Sequence, residues 1–250
     1  MGLRCRGLQL TLVLGYCGRC CSAGMATLTV PQIHWYSIVG STQDQAKALV
    51  RRQAEENDGK TRRDPFLVAA PMQSAGRGTR GRAWQGLQGN VFLTLAVPFE
   101  VLPHPPTVTP LLVGTMVAEE TAATLESLRS LAAAAGGGEP EASAGGSVTL
   151  KWPNDVLIDG KKVSGVLIET ELPFLLIGVG INVVEAPVIP DSGADAGRAA
   201  TAIVEQVANV DTEVALQLMA SRYPVDLESD VASAAELEMG ADGQVADAQV

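Results

Sequence analysis

The sequence predicts an α/β (α+β) domain in which helices cover a mixed β-sheet. Three observations carry this expectation. Several short stretches are continuously apolar or alternate with period two, as strands do. Two longer stretches carry helical periodicity, one after the first strand and one in mid-chain. Asp159-Gly160 separates two strand-like runs with the pair of residues that a two-residue hairpin turn needs. Strands dominate the pattern, which points to helices stacked on one side of a mixed sheet.

Taken in order, residues 33–36 read as a short strand, and Ser41-Thr42 as the N-cap of a helix running to about residue 56. Residues 57–64 are a charged loop, and Phe66-Leu67-Val68-Ala69-Ala70 is a buried strand. Residues 73–89 are rich in glycine and arginine without periodicity, hence a loop. Residues 91–97 form a strand stopped by Pro98. A proline-rich connection, residues 103–110, leads to helix over 111–135, as one long element or two short ones. Residues 132–147 are low-complexity Ala, Gly, Glu and Ser, expected as a flexible surface insertion. Strands follow at 148–151, 156–158, 163–169 and 175–182, then an amphipathic helix at 212–223. The division expected is therefore a leader or non-folded extension at 1–30, one domain at 31–224, and an acidic, alanine-rich disordered tail at 225–250.

Composition narrows the function. A chain of 250 residues with 46% apolar and only 4% aromatic residues has enough material for one aliphatic core. The net charge of −10 argues against a nucleic-acid binder, because phosphate binding needs a basic face. All four cysteines precede Met25, so the rest of the chain carries neither a disulfide framework nor a thiol nucleophile, and no metal-ligand spacing stands out. Residues 1–23 hold arginines, no acid and an apolar run too short to span a bilayer. A secretory signal, an organelle leader and a true start at Met25 all fit that segment.

Two segments carry the chemistry. In Gly76-Arg77-Gly78-Thr79-Arg80-Gly81-Arg82 the glycines let backbone N–H groups approach an anion, and the arginines offer forks for carboxylate or phosphate. Trp84 adds a flat face for a ring or base. The loop is neither a Walker A loop nor a dinucleotide fingerprint, since no Gly-Lys-Ser/Thr follows and a strand comes next. In Lys151-Trp152-Pro153-Asn154-Asp155, Pro153 breaks a strand and leaves Lys151 at its rim. Gly165 and Gly178-Val179-Gly180-Ile181-Asn182 place glycines inside strands, where either a ligand approaches or packing is tight.

Together these segments resemble the biotin protein ligase (holocarboxylase synthetase) family. Ser41-Thr42-Gln43 is similar to its Ser-Thr-Asn segment, and the run from Gln73 to Trp84 to its Gly-Arg-Gly-Arg-x-Gly-Arg-x-Trp loop. The runs from Lys151 to Asp155, from Lys162 to Glu169 and from Gly178 to Asn182 follow in family order. The resemblance implies a sheet flanked by helices, related to class II aminoacyl-tRNA synthetases. It implies an ATP-dependent enzyme that makes biotinyl-5′-AMP and passes biotin to a lysine of biotin carboxyl carrier domains. Lys151 and Arg77 would be catalytic. Ser41, Thr42, Gln43, Gln73, Arg77, Gly78, Thr79, Lys151 and Gly165 would bind biotin, and Arg80, Arg82, Trp84 and Asn182 the adenylate. ATP, biotin and Mg²⁺ are the implied small molecules, with no metal held by protein side chains. No nucleic-acid or membrane partner is expected, a homodimer is compatible with the resemblance, and the compartment is cytoplasmic, or mitochondrial if the leader is genuine. Lipoate ligation is the rival within the superfamily, and a weakly catalytic biotin binder or truncated fragment the other alternative. Two departures stand out: Thr79 where many members carry arginine, which implies a less tightly held adenylate, and Gln43 in place of Asn.

Overall fold

The computed structural model describes residues 10–13, 27–30, 32–56, 64–102, 104–134, 146–189, 198–208, 210 and 212–222. Residues 57–63 of the expected loop at 57–64, the centre of the expected insertion at 135–145 and the acidic tail lie outside these residues. Strand β1 (Leu10–Val13) pairs antiparallel with β2 (Thr27–Val30) as a separate ladder within the segment expected as leader, and Val30 reaches the main core.

The chain continues through β3 (Gln32–Trp35), α1 (Thr42–Glu56), β4 (Phe66–Ala70), β5 (Gln73–Arg77), β6 (Ala83–Gly86) and β7 (Val91–Pro98). Then come α2 (Thr109–Ala134), β8 (Val148–Lys151), β9 (Asp155–Ile158), β10 (Lys161–Glu171), β11 (Phe174–Ile181) and α3 (Thr212–Arg222). Seven strands form one sheet in the order β3-β4-β7-β11-β10-β9-β8. Only β3 with β4 is parallel, so the sheet is mixed as expected. The β9–β10 turn uses Asp159 and Gly160 at φ 48° and 78°, the left-handed pair that its sequence demands.

Three expectations need correction. The segment at 73–89 is not a loop throughout: β5 and β6 form their own hairpin, tipped by a 3₁₀ turn at Thr79–Gly81. Only Gly76 of its strand residues is buried, so no apolar alternation marks them. Residues 132–134, expected both as the helix end and as the start of the insertion, are the last turn of α2. Finally, the helices are not on one side. Side-chain alternation sends Ala96, Phe174 and Leu176 to the face that packs Ala46 and Val50 of α1. It sends Leu95, Leu175 and Ile177 to the other face, with Val113, Val117 and Leu125 of α2. Composition cannot assign a helix to a face, because both faces need the same aliphatic residues.

Candidate active site

The pocket opens on the α1 face, where that helix stops short of covering β7, β11 and β10. It measures about 440 Å³, part of it open to solvent. Cross-strand register explains its floor: Gly165 pairs with Gly180, and Leu167 with Gly178, so all four point to one face. Trp84 lies flat on this floor. A Cβ added to Gly165 or Gly180 would come within 2.8 Å of the indole, so both positions need glycine for the ring to seat.

The head of the pocket forms where the chain before α1 meets β5. Ser74 and Ala75 donate backbone N–H bonds to the carbonyls of Val39 and Gly40. That places Gln73 at the N-terminus of α1, where its Oε1 accepts from the Thr42 backbone N–H (2.8 Å) and Thr42 Oγ1 (3.2 Å). A residue distant in sequence thus supplies the capping acceptor. Buried Gln43 spends its amide Nε2 on the sheet carbonyls of Leu167 (3.4 Å) and Leu176 (3.3 Å), while its Oε1 accepts from Thr94 Oγ1 (2.9 Å). Thr94, fully buried on β7, also lies 3.0 Å from Thr42 Oγ1. Both carboxamides are therefore fixed in orientation. Gln43 has one acceptor lone pair left, and Gln73 has its Nε2 donor.

Two cations line the pocket, Arg77 and Lys162, and Lys151 lies outside its lining. Lys162 lines the pocket, pairs with Asp155 at 2.7 Å, and sits 5.1 Å from the centre of the Trp84 ring, a cation–π geometry. The cause is a β-bulge between Lys162 and Ser164. Lys162 and Gly165 are three residues apart, so strict alternation would put them on opposite faces; the bulge puts both on the pocket face. Lys151 pairs with Asp155, one strand further out than Gly165. Its ammonium is 4.0 Å from that carboxylate, its side chain is 49% exposed, and it does not line the pocket.

Arg77 is held by two carboxylates. Its Nε donates to Asp44 (3.1 Å), and Nη1 and Nη2 donate to the two oxygens of Glu169 at 3.1 and 2.6 Å. Lys47 reaches the same Glu169 at 2.9 Å. Burial alone pushes the Glu169 carboxyl up, but the hydrogen bonds and charges of Arg77 and Lys47 outweigh it and hold the group below its usual range. The Glu169 hydrogen bond raises the Arg77 guanidinium further above its already high value.

Of the residues expected at the site, Ser41, Thr42, Gln43, Gln73, Arg77, Gly78, Thr79, Trp84 and Gly165 line the pocket. Arg80 and Arg82 are exposed outside it, Arg80 in a left-handed conformation (φ 61°) at the hairpin tip. Asn182 lies outside the lining too: it is buried and donates from Nδ2 to Thr201 O (3.2 Å), while its Oδ1 and the Trp84 Nε1 have no partner. Sequence reasoning missed Thr94, Asn154, Lys162 and Gly180 as lining residues. Strand parity would have found Thr94, and Gly180 stood in a run already singled out.

Residues 35–182, more than half of the chain, match the model of the biotin/lipoate A/B protein ligase family. The bifunctional ligase/repressor BirA of Bacillus subtilis is 33% identical over 163 residues, covering 61% of this chain and 41% of that protein. The biotin–[acetyl-CoA-carboxylase] ligase of Mycobacterium tuberculosis is 37% identical over 131 residues, covering 52% and 44%. The chain thus spans less than half the length of these relatives. Among solved structures, the Leishmania major biotin protein ligase in complex with biotinyl-5-AMP superposes with a TM-score of 0.53 at 29% identity, over 88% of this chain and 87% of that one. The Aquifex aeolicus biotin protein ligase with biotin and ATP gives 0.50 at 26% identity, over 76% and 68%. Family model and fold agree over the segment that builds the pocket, so the chain belongs to the biotin/lipoate A/B protein ligase family.

Proposed function

We propose that the chain is an ATP-dependent biotin–protein ligase. One observation supports this reading above the others: the deep end of the pocket offers a fixed acceptor, Gln43 Oε1, and a fixed donor, Gln73 Nε2. A cyclic urea carries N–H and C=O side by side and satisfies both. The dithiolane of lipoate has neither, and would leave the Gln73 amide donor without the acceptor that a cyclic urea supplies.

In the first step the biotin carboxylate attacks the α-phosphorus of ATP. A P–O bond forms, the bond to the β-phosphate oxygen breaks, and pyrophosphate leaves. Two unit charges at contact repel by about 4 kcal/mol at an effective dielectric near 20. Lys162, held over Gly165 by Asp155, is the residue that offsets this repulsion. Magnesium carried by the nucleotide phosphates would add to the same neutralisation. The nucleophile is already ionised, so no general base is needed. In the second step a carrier lysine attacks the acyl carbon and AMP leaves. That amine carries a deprotonation cost of about 4–5 kcal/mol at neutral pH, and positioning of the two reactants supplies most of what offsets it. Trp84 is the face for the adenine ring.

The acceptor is a lysine of a biotin carboxyl carrier domain, and residues 31–224 are taken as the catalytic unit. Among the described residues no helix is long and apolar enough to cross a membrane; the cytoplasm is the compartment this reading implies, with the mitochondrion the alternative. The test is to incubate the full chain with MgATP and a carboxyl carrier domain, with biotin or with lipoate, and read intact mass. A single biotin adduct on the carrier is expected. A lipoyl adduct in preference, or no adduct with either acid, would overturn the proposal.

A further inference from the structure

We propose that Glu169 is a positioning residue: it anchors the β5–β6 hairpin over the pocket through Arg77, and Arg77 acts as the hairpin's tether and not as a receptor for the ligand's anions. This rests on the ligase reading above only in what the hairpin covers.

The donor count carries the argument. A guanidinium has five N–H donors. Nε faces Asp44, Nη1 and Nη2 face Glu169, and Nη2 also lies 2.7 Å from Asp44 Oδ1, so four of the five are engaged and no free fork is left for a carboxylate or phosphate. The geometry of Glu169 points the same way. On β10 it continues the row of Gly165 and Leu167, and all three face the pocket side. Its two oxygens take the Arg77 fork in the bidentate arrangement that fixes orientation as well as distance. Lys47 of α1 bonds the same carboxylate and steadies it from the helix side. Backbone bonds hold the start of β5 to Val39 and Gly40, and Trp84 of β6 seats on the glycine floor; the strap from Arg77 to α1 and β10 is the tie at the end of β5, next to the hairpin tip. Two residues further along β10, Glu171 pairs with Arg51 of α1 at 2.9 Å without touching the hairpin, and serves as the internal control.

The experiment is limited trypsinolysis of the full chain without ligand, reading cleavage after Arg80 and Arg82 by mass spectrometry. Glu169→Gln is expected to accelerate cleavage there about tenfold, in line with local opening of a tethered segment. Glu171→Gln should leave the rate unchanged. Arg77→Gln should match Glu169→Gln, and the double variant should be no faster than either. A wild-type rate in Glu169→Gln overturns the proposal. So does equal acceleration in Glu171→Gln, acceleration in the double variant that multiplies the single effects, or equal acceleration after Arg129 and Lys162, which reports global loosening. Biotin titration then shows whether the tether matters for binding: a KM raised about fivefold with kcat within about twofold is expected, and a fall in kcat alone would refute a positioning role. A wild-type chain that ignores biotin would sink the ligase reading and leave the cleavage result standing.

Discussion

Strands β7, β11 and β10 send Leu95, Ile177 and Ile168 into the aliphatic core that α2 shares on one face of the sheet, and Thr94, Gly178 and Leu167 to the pocket on the other. The first face is a dry aliphatic layer. The second gives up packing for glycine and hydroxyl groups, and α1 covers only the part built from Phe66, Phe174 and Leu176. The difference teaches that stability and ligand chemistry are separated by parity along the same strands. Neighbouring residues in sequence serve opposite ends, and a register slip would ruin both at once.

The sharpest way to break this comparison is Lys162→Ala. It is expected to lower biotin-dependent ATP–pyrophosphate exchange by about 10²–10³-fold, roughly 3–4 kcal/mol of lost charge stabilisation, with little change in Tm. Lys151→Ala should cost less than about threefold; a reversed ranking would return the cation to the strand end. On the α2 face, Leu125→Ala should destabilise the fold by about 3 kcal/mol through the cavity it leaves, with KM for biotin unchanged in chemical denaturation and kinetic assays of the same sample. Gly180→Ala should do the opposite: its Cβ would meet the Trp84 indole at 2.8 Å and lift it, costing about 1–2 kcal/mol of nucleotide affinity while the unfolding midpoint moves little.

The smallest effect is on pH dependence. The Glu169 carboxyl is held below its ordinary value in the folded chain, so its contribution is complete above the unfolded pKa, near 4.3. It is lost as pH falls through the lower folded value. Amide exchange across residues 78–82, corrected for intrinsic rates, should stay protected at pH 6 and rise below about pH 4. In Glu169→Gln that rise should be absent.

Much of the sheet was legible because burial leaves a strong trace: Phe66–Ala70 is apolar throughout, and Asp159-Gly160 can hardly be anything but a tight turn. The head of the pocket was legible in part, since Ser41-Thr42 marks the start of α1 and Gln73 opens the glycine- and arginine-rich segment. The β5–β6 hairpin was not. It is held by backbone bonds to Val39 and Gly40 and by ion pairs from Arg77, none of which imposes an apolar period. Lys162 was hidden by alternation itself, because counting in twos from Gly165 sends it to the wrong side. The pairing of Arg77 with Glu169, 92 residues away, depends on the sheet placing β10 beside α1, which no local pattern encodes.

The bulge in β10 makes the chemistry of this protein a matter of spacing as well as residue type. Adding one residue to β9 opposite Val163 would change no group that the proposed reaction uses. Every residue of β10 would then pair in turn, and regular alternation would turn the Lys162 ammonium to the far side of the sheet. Deleting Val163 would also abolish the bulge, but it would leave Lys162 and Gly165 two residues apart and on one face. An insertion in the partner strand can therefore silence the site while every residue assigned to it is still present.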